Sequence, residues 1–245
     1  MEVGNKDVYE YISHFADDKT VINMILANPK VFDNEKFYEK VMRKRYPLLI
    51  EFRKENETWK TLYLRMVYVL AKLQEDYQIP YIPTKGCSPE RLLDNKIFGK
   101  ERIYNEALIC AAAGGHIQLI GYFLEKGVKY LEEALGTAGR HSNLNTVNYL
   151  ISKGAKDYDY LFDSAAMGGN VEIMKFASDI LKSEGWNINS TSSRTSLFHA
   201  INNERIEAIN FLIQNGLIIR PEHIEYAEYK KKYDIAEYLK QFVQN

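Results

Sequence analysis

Five histidines and some adjacent acidic residues have the side-chain types that could support acid–base or metal chemistry in this chain. Four of the histidines are scattered, without an acidic or cysteine partner at useful spacing: His14, His141, His199 and His223. The fifth, His116, is expected to cap a turn by bonding to backbone. The pairs Asp17-Asp18 and Glu75-Asp76 are adjacent carboxylates, which point to different sides of a helix and suit capping or solvation. The sequence suggests no cluster of a nucleophile, a base and a group that orients them, so we expect neither an enzyme nor a metal site.

Two glycine pairs could in principle cradle phosphate, as glycine-rich loops do. Neither Gly114-Gly115 nor Gly168-Gly169 lies in a GxGxxG or GxxxxGK[ST] pattern, so both are interpreted as turns and no cofactor is predicted. The net charge of −1 gives no strong electrostatic reason to bind nucleic acid.

The two cysteines and the apolar segments bear on the compartment. Cys87 and Cys110 have no CxxC or histidine spacing, so neither a disulfide framework nor a zinc site is predicted, and free thiols suit a reducing compartment. The first residues lack the apolar segment and cleavage site of a secretion signal. The best apolar stretch, 62–71, carries Arg65 near its middle, which favours a buried helix over a membrane span. We expect an intracellular protein of the cytoplasm or nucleus that binds no membrane.

Helical spacing of apolar residues organises positions 7–79. Asp18 is a candidate N-cap for a helix that follows it, and Tyr46-Pro47 ends a later one. A longer helix is predicted from about Thr58 to Tyr77. Residues 80–100 contain three of the six prolines and no periodic run, so they are predicted to form an extended connector.

Beyond position 100 the chain repeats itself. The segment that ends at Gly127 recurs 27 residues later and ends at Gly154. A third copy contains Gly169, and a fourth ends at Gly216. One unit of this size cannot bury its own apolar face, so a fixed period predicts a stack of units. Each unit is predicted to form two short antiparallel helices, and the third is longer by one helical turn.

Residues 101–245 resemble an ankyrin repeat array. The first unit carries the family's pattern at Leu108, Ala111-Ala112, Gly115-His116, Leu119-Ile120, Phe123-Leu124 and Gly127. The resemblance implies an all-α solenoid of four repeats plus a degenerate C-terminal cap, with the repeats binding a target protein. The link from Gly127 to the next unit is short, so the hairpin fingers of the family are expected to be trimmed to plain loops.

Residues 1–47 are similar to an F-box, the helical motif that docks on Skp1-type adaptors of cullin ubiquitin ligases. The apolar residues expected to dock are Val8, Ile12, Phe15, Val21, Ile22 and Ile25. The usual Leu-Pro opening is absent. With linking helices at 48–79, the arrangement resembles ankyrin proteins of giant DNA viruses of amoebae. For a viral protein this implies action in the host cell, recruiting ligase machinery while the repeats hold a target.

Side chains that change character from repeat to repeat predict where the target binds. On the concave face they are Arg140, His141, Met167, Asn202, Asn203, Lys231 and Lys232. Aromatic residues at the loop edge are candidate anchors, or shields for the shortened loops: Tyr130, Tyr158, Tyr160 and Trp186.

The sequence therefore predicts a protein–protein interaction adaptor, with an unidentified target and a Skp1-type adaptor as partners. The alternative is a scaffold or masking inhibitor in which the N-terminal helices only cap the repeat stack. The two hypotheses differ at Val8, Ile12 and Phe15, which the alternative buries against residues 50–75.

Overall fold

The computed structural model describes residues 17–27, 34–95, 99–141 and 143–243, and the regular elements in these ranges are helices. One isolated bridge joins Ile219 to Val243. The predicted all-α fold class is therefore confirmed. The chain divides into two compact units, Met1–Tyr104 and Asn105–Asn245, so the boundary lies close to the predicted start of the repeats at position 101.

The described part of the first unit is a small helical bundle. Its elements are α1 (Asp18–Ala27), α2 (Glu35–Arg45), a 3-10 helix (Pro47–Phe52), α3 (Trp59–Tyr77) and α4 (Pro89–Asp94). Helix α3 packs against both α2 and α4. The core is formed by Val21, Ile25, Phe37, Tyr38, Val41, Met42, Leu49, Leu62, Tyr63, Met66 and Val67. The long helix predicted from about Thr58 is confirmed, because Thr58 caps α3 by accepting from the backbone N–H of Thr61 at 3.1 Å.

The cap predicted for α1 is wrong. The capping side chain is Asp17, whose Oδ1 accepts from the backbone N–H of Thr20 at 2.7 Å. Asp18 is instead engaged with residues distant in sequence, since its Oδ1 accepts from the Tyr63 hydroxyl at 2.8 Å and from Arg45 at 2.9 Å. Asp17 and Asp18 are both possible caps by sequence. The bonds of Asp18 to Tyr63 and Arg45 leave Asp17 as the residue that caps α1.

The predicted extended connector at 80–100 is interrupted by helix α4. Ser88 accepts from the backbone N–H of Arg91 at 3.3 Å, and Pro89 lies in the first turn. Serine at the N-cap and proline in the first turn both favour a helix start. The three prolines of this segment favoured an extended conformation in the sequence analysis, and the helix start at Ser88-Pro89 was therefore not recognised.

Arg65 is a nearly buried cation that links α3 to two neighbouring segments. Its guanidinium donates to both carboxylate oxygens of Glu57, at 2.7 and 2.8 Å, and to Glu90 at 2.5 Å. A further bond runs to the carbonyl of Phe52 at 2.9 Å. The side chains of Arg65 and Glu57 are only 16% and 6% exposed. Hydrogen bonding to Arg65 lowers the pKa of the Glu57 carboxyl, which keeps the pair charged.

The second unit is a series of helix pairs. After α5 (Lys100–Ala113), whose first residues belong to the first unit, the helices are α6 (Ile117–Glu125), α7 (Leu131–His141), α8 (Leu144–Ser152), α9 (Tyr158–Gly168), α10 (Val171–Ser183), α11 (Thr191–Asn202), α12 (Ile206–Gln214), α13 (Pro221–Tyr229) and α14 (Tyr233–Lys240). The repeated segments thus form two helices each, as predicted. The extra turn predicted for the third unit is confirmed, because α10 has 13 residues where α8 and α12 have 9.

Successive pairs pack through their first helices. Helix α7 contacts α9, α9 contacts α11, and α11 contacts α13, while the second helices α10 and α12 also touch. The shared faces are lined by small and aliphatic residues with no exposed area, among them Ala134, Ala165 and Ala200. Small side chains allow helix backbones to approach closely. The result is a row of first helices whose ends lie next to each other.

None of the helices in the described ranges has both the length and the apolarity that crossing a bilayer would require. Both cysteines lie within those ranges, and both are disulfide-bonded. The expectation of free thiols is therefore wrong, because spacing along the chain predicts metal motifs but not disulfide formation. The cysteines give no support for a reducing compartment.

Candidate protein-binding surface

In the second unit, the first helices α5, α9, α11 and α13 each end in a tight turn. One residue of each of these turns has left-handed backbone: Gly115 (φ 71°), Gly169 (φ 81°), Glu204 (φ 56°) and Lys231 (φ 60°). The turn brings the last residues of one helix beside the first residue of the next. We call residues 113–116, 140–141, 167–170, 202–205 and 230–233 the turn row.

All seven residues predicted for the concave face lie on the turn row. Arg140, His141, Asn202 and Lys231 are exposed, whereas Met167 is half-buried. Two of the seven are held by neighbours: Asn203 donates from Nδ2 to the carbonyl of His199 at 2.8 Å, and Lys232 forms an ion pair with Glu204. Their assignment to a concave binding face stays a prediction.

Neighbouring turns are in direct contact. A Cβ on Gly168 would lie 2.2 Å from the carbonyl oxygen of Arg140, so these two backbones nearly touch. Arg205 donates from Nε to the carbonyl of Met167 at 3.3 Å. The ion pair between Glu204 and Lys232 continues the chain of contacts to the next turn. Four consecutive turns therefore form one continuous surface.

The centre of this surface is cationic. Although His141 is exposed, partial desolvation of its ring lowers its pKa below the ordinary value, and the nearby charges of Arg140 and Arg205 lower it further. The imidazole is therefore neutral near pH 7, and the positive charge here belongs to the two arginines.

Sequence reasoning missed Arg205 and Glu204 on the turn row. Arg205 is the N-cap of α12, the place that His116 and Asn170 occupy before α6 and α10. Glu204 precedes it in the turn. The spacing of the repeats contained this signal, since the turn continues past the last variable position of the first helix.

A cavity of about 220 Å³ opens at the C-terminal end of the turn row. It is lined by Glu204, Lys231, Lys232, Tyr233, Asp234 and Ile235. Tyr229 and Tyr233 flank the three lysines at positions 230–232, and their side chains are 79% and 62% exposed. Exposed tyrosines next to lysines can provide both apolar contact and charge to a partner.

The predicted loop-edge aromatics are occupied mainly by packing within the unit. The ring of Trp186 meets Phe162 edge to face at 5.2 Å, and its Nε1 donates to Ser192 at 3.4 Å. Tyr160 lies over Gly136, where a Cβ would come within 2.3 Å of its ring. Tyr130 and Tyr158 are half-buried. For Trp186 the structure favours shielding of the loop over anchoring a partner.

Polar side chains tie successive loops at that edge. Glu132 accepts from the backbone N–H groups of Lys156 and Asp157 at 2.9 and 3.0 Å. Two repeats later, Asn189 accepts from the N–H of Ile218 at 2.8 Å and donates to the carbonyl of Gly216 at 3.0 Å. These bonds satisfy backbone groups that the shortened loops would otherwise leave to solvent.

The expectation that His199 has no acidic partner is wrong. Its Nδ1 lies 2.9 Å from both carboxylate oxygens of Asp163, a residue 36 positions earlier in the chain. The pair joins α9 to α11. A histidine and an aspartate are two of the three groups of a hydrolytic triad, but no hydroxyl or thiol in the described part of the chain bonds to His199.

Three of the residues predicted to dock an adaptor, Val8, Ile12 and Phe15, lie outside the described residues. Val21 and Ile25 are buried in the core of the first unit, and Ile22 packs against it. The prediction that Val21 and Ile25 face a partner is therefore wrong, because helical spacing of apolar residues marks the buried face of α1.

No family model, curated protein or solved structure matches this chain. Across the ranges that the structure describes, no group of three or more histidine, cysteine, aspartate or glutamate residues could hold a metal ion.

Proposed function

We propose that the second unit is an ankyrin-type repeat stack that binds a partner protein through the turn row. The observation that supports this most directly is the continuity of the surface. Arg140 meets Gly168, Met167 meets Arg205, and Glu204 pairs with Lys232 on successive turns. Stacked repeats of this kind present extended surfaces along which each repeat contributes its own side chains.

The chemistry of these side chains suits recognition of a protein. Arg140 and Arg205 contribute charge, Met167 a half-buried apolar contact, and Asn202 an exposed amide. Arginine, methionine and tyrosine are enriched in protein interfaces. Ala134, Ala165 and Ala200, on the same first helices, are fully buried. The side chains at the turns can therefore differ between repeats without a change in how the helices pack.

Changing Arg140→Glu together with Met167→Asp should weaken capture of partner proteins about tenfold or more, since it reverses one charge and places another on an apolar contact. The measurement is affinity capture from a eukaryotic lysate on the immobilised full chain, with bound proteins quantified by mass spectrometry.

The matched control is Lys182→Glu, which reverses an exposed charge at the far end of α10. Thermal unfolding of all three proteins should coincide closely. If the double variant and the wild type capture the same proteins equally well, the turn row is not the binding surface.

A second candidate function is recruitment of a Skp1-type adaptor through α1. The observation in its favour is that α1 leaves Leu26 72% exposed while it buries Val21 and Ile25. An amphipathic helix can bind a partner by placing exposed apolar side chains into a hydrophobic groove.

Leu26→Asp should then remove a Skp1-type adaptor from the captured proteins without changing capture of the target. Asn23→Asp, a change at another exposed position of the same helix, should leave the adaptor in place. Absence of the adaptor from wild-type captures would leave the scaffold or masking role for the protein.

A further inference from the structure

Positive charge in the second unit is concentrated on the turn row. The row carries five cationic side chains, Arg140, Arg205 and the lysines at positions 230–232, and one acid, Glu204. Residues 101–245 as a whole hold 15 basic and 18 acidic side chains, so the part of this range outside the row has 10 basic and 17 acidic ones. The row is therefore positive by four charges on a segment that is otherwise negative by seven.

The two arginines of the row approach one pair of glycines, which belongs to the repeat between them. A Cβ on Gly168 would lie 2.2 Å from the backbone carbonyl oxygen of Arg140, and a Cβ on Gly169 would lie 3.0 Å from Cδ of Arg205. Arg205 also donates from Nε to the carbonyl of Met167 at 3.3 Å, which orients its guanidinium. The absence of side chains on the two glycines lets both arginines lie close to the turn that follows Met167.

Neither arginine is neutralised by an acid in the part of the chain that the structure describes. Both are exposed, and Glu204 pairs with Lys232 while it interacts more weakly with Arg205. The charged groups that shift the pKa of His141 are the same two arginines, and both lower it. An acid close to the imidazole would raise that pKa instead. The centre of the turn row therefore keeps an excess of positive charge.

The spacing of the helices sets the length of a ligand that could reach both arginines. Packed helices lie about 8–10 Å apart, so α7 and α11, on either side of α9, are separated by roughly 20 Å. About six extended residues span that distance. Met167 lies between the two arginines and is half-buried, and it offers an apolar contact that suits a peptide better than a phosphate backbone.

We propose that the turns around Gly168 and Gly169 bind a short, extended acidic segment of the partner protein. Its carboxylates pair with the guanidinium groups of Arg140 and Arg205, and an apolar side chain between them packs on Met167. Guanidinium groups bind carboxylates through two parallel hydrogen bonds, which gives such a contact both strength and direction. The proposal rests on the proposed function and specifies the chemistry of the partner at the centre of the turn row.

The test measures binding of a fluorescein-labelled peptide, a leucine flanked on each side by glutamates, to the full chain by fluorescence anisotropy. Arg140→Gln and Arg205→Gln should each weaken binding about tenfold, since each removes one of the two cations. Added salt should weaken binding by the wild type. Arg140→Gln should unfold at the same temperature as the wild type, because the backbone of Arg140 meets Gly168 and is unchanged. This variant separates lost binding from lost folding.

Arg220→Gln is the matched control, because it removes an exposed arginine that precedes α13, at the opposite end of the first helices from the turn row. It should bind the peptide as the wild type does. A second peptide, with glutamine in place of every glutamate, should bind the wild type at least about tenfold more weakly.

Several results would overturn the proposal. They are no binding of the glutamate peptide to the wild type, undiminished binding by Arg140→Gln or Arg205→Gln, an equal loss in Arg220→Gln, equal binding of the glutamine peptide, or tighter binding of a single-stranded oligothymidylate. If the glutamate peptide fails to bind while protein capture still depends on Arg140 and Met167, this inference fails and the proposed function stands.

Discussion

Gly168→Ala is expected to destabilise the second unit by about 3 kcal/mol, the upper part of the range for overpacking. Replacing a helical glycine by alanine ordinarily stabilises a helix by about 1 kcal/mol, so the predicted sign is unusual. The reason is the backbone of Arg140. The new Cβ would lie 2.2 Å from its carbonyl oxygen and 2.9 Å from its Cα. Backbone cannot rotate aside as a side chain can, so α7 and α9 would have to separate.

The measurement is the free energy of unfolding in urea, followed by far-UV circular dichroism. Gly121→Ala is the matched control, because that glycine is also helical but its Cβ would meet only the Tyr149 hydroxyl, at 2.9 Å. The end of a tyrosine side chain can move, so this variant should stay within about 1 kcal/mol of the wild type. A Gly168→Ala protein as stable as the wild type would show that the two turns are not in close contact, and the continuous surface would lose its main support.

Arg65→Met is expected to lower the stability of the first unit by about 3 kcal/mol. The change leaves Glu57 nearly buried without the guanidinium that pairs with both of its oxygens. It also removes the donor to the Phe52 carbonyl and the tie to Glu90. A buried charge that loses its partner keeps the cost of desolvation, which is why the loss exceeds that of a surface pair.

Lys72→Met provides the control on the same helix. Lys72 pairs with Asp76 at 3.8 Å, and both side chains are substantially exposed, so its removal should cost less than about 0.5 kcal/mol. Urea unfolding of both variants decides the matter. Equal, small effects would mean that the Arg65 network contributes no more than a solvent-exposed ion pair.

Periodicity alone predicted the helix pairs of the second unit and the position of the turn row. Apolar spacing reports which face of a helix is buried, and glycine reports where the chain turns. It does not report which polar atoms meet across elements. The contact between His199 and Asp163 joins residues 36 positions apart, and the bond from Arg205 to Met167 joins residues 38 apart. Neither pairing has a signature in local sequence.

The first unit shows the same limit in another form. Val21 and Ile25 have the spacing of a helix face that must be covered, and the structure covers that face with the core of the chain itself. Spacing cannot separate a face covered from within from one covered by a partner protein. The core of the first unit covers Val21 and Ile25, so these two residues do not need a partner protein to cover them. Leu26, on the same helix, is 72% exposed and is the residue that a partner could cover.

The bonds from Glu132 to the amides of Lys156 and Asp157, and from Asn189 to Gly216 and Ile218, connect two pairs of successive loops. An internal repeat such as the one that begins with α9 also packs on both neighbours, through α7 and α11, so disorder should enter from the ends and spread inward. A ligand held by a single turn would then raise the melting temperature of repeats that it never touches, since its binding energy is shared through the whole array.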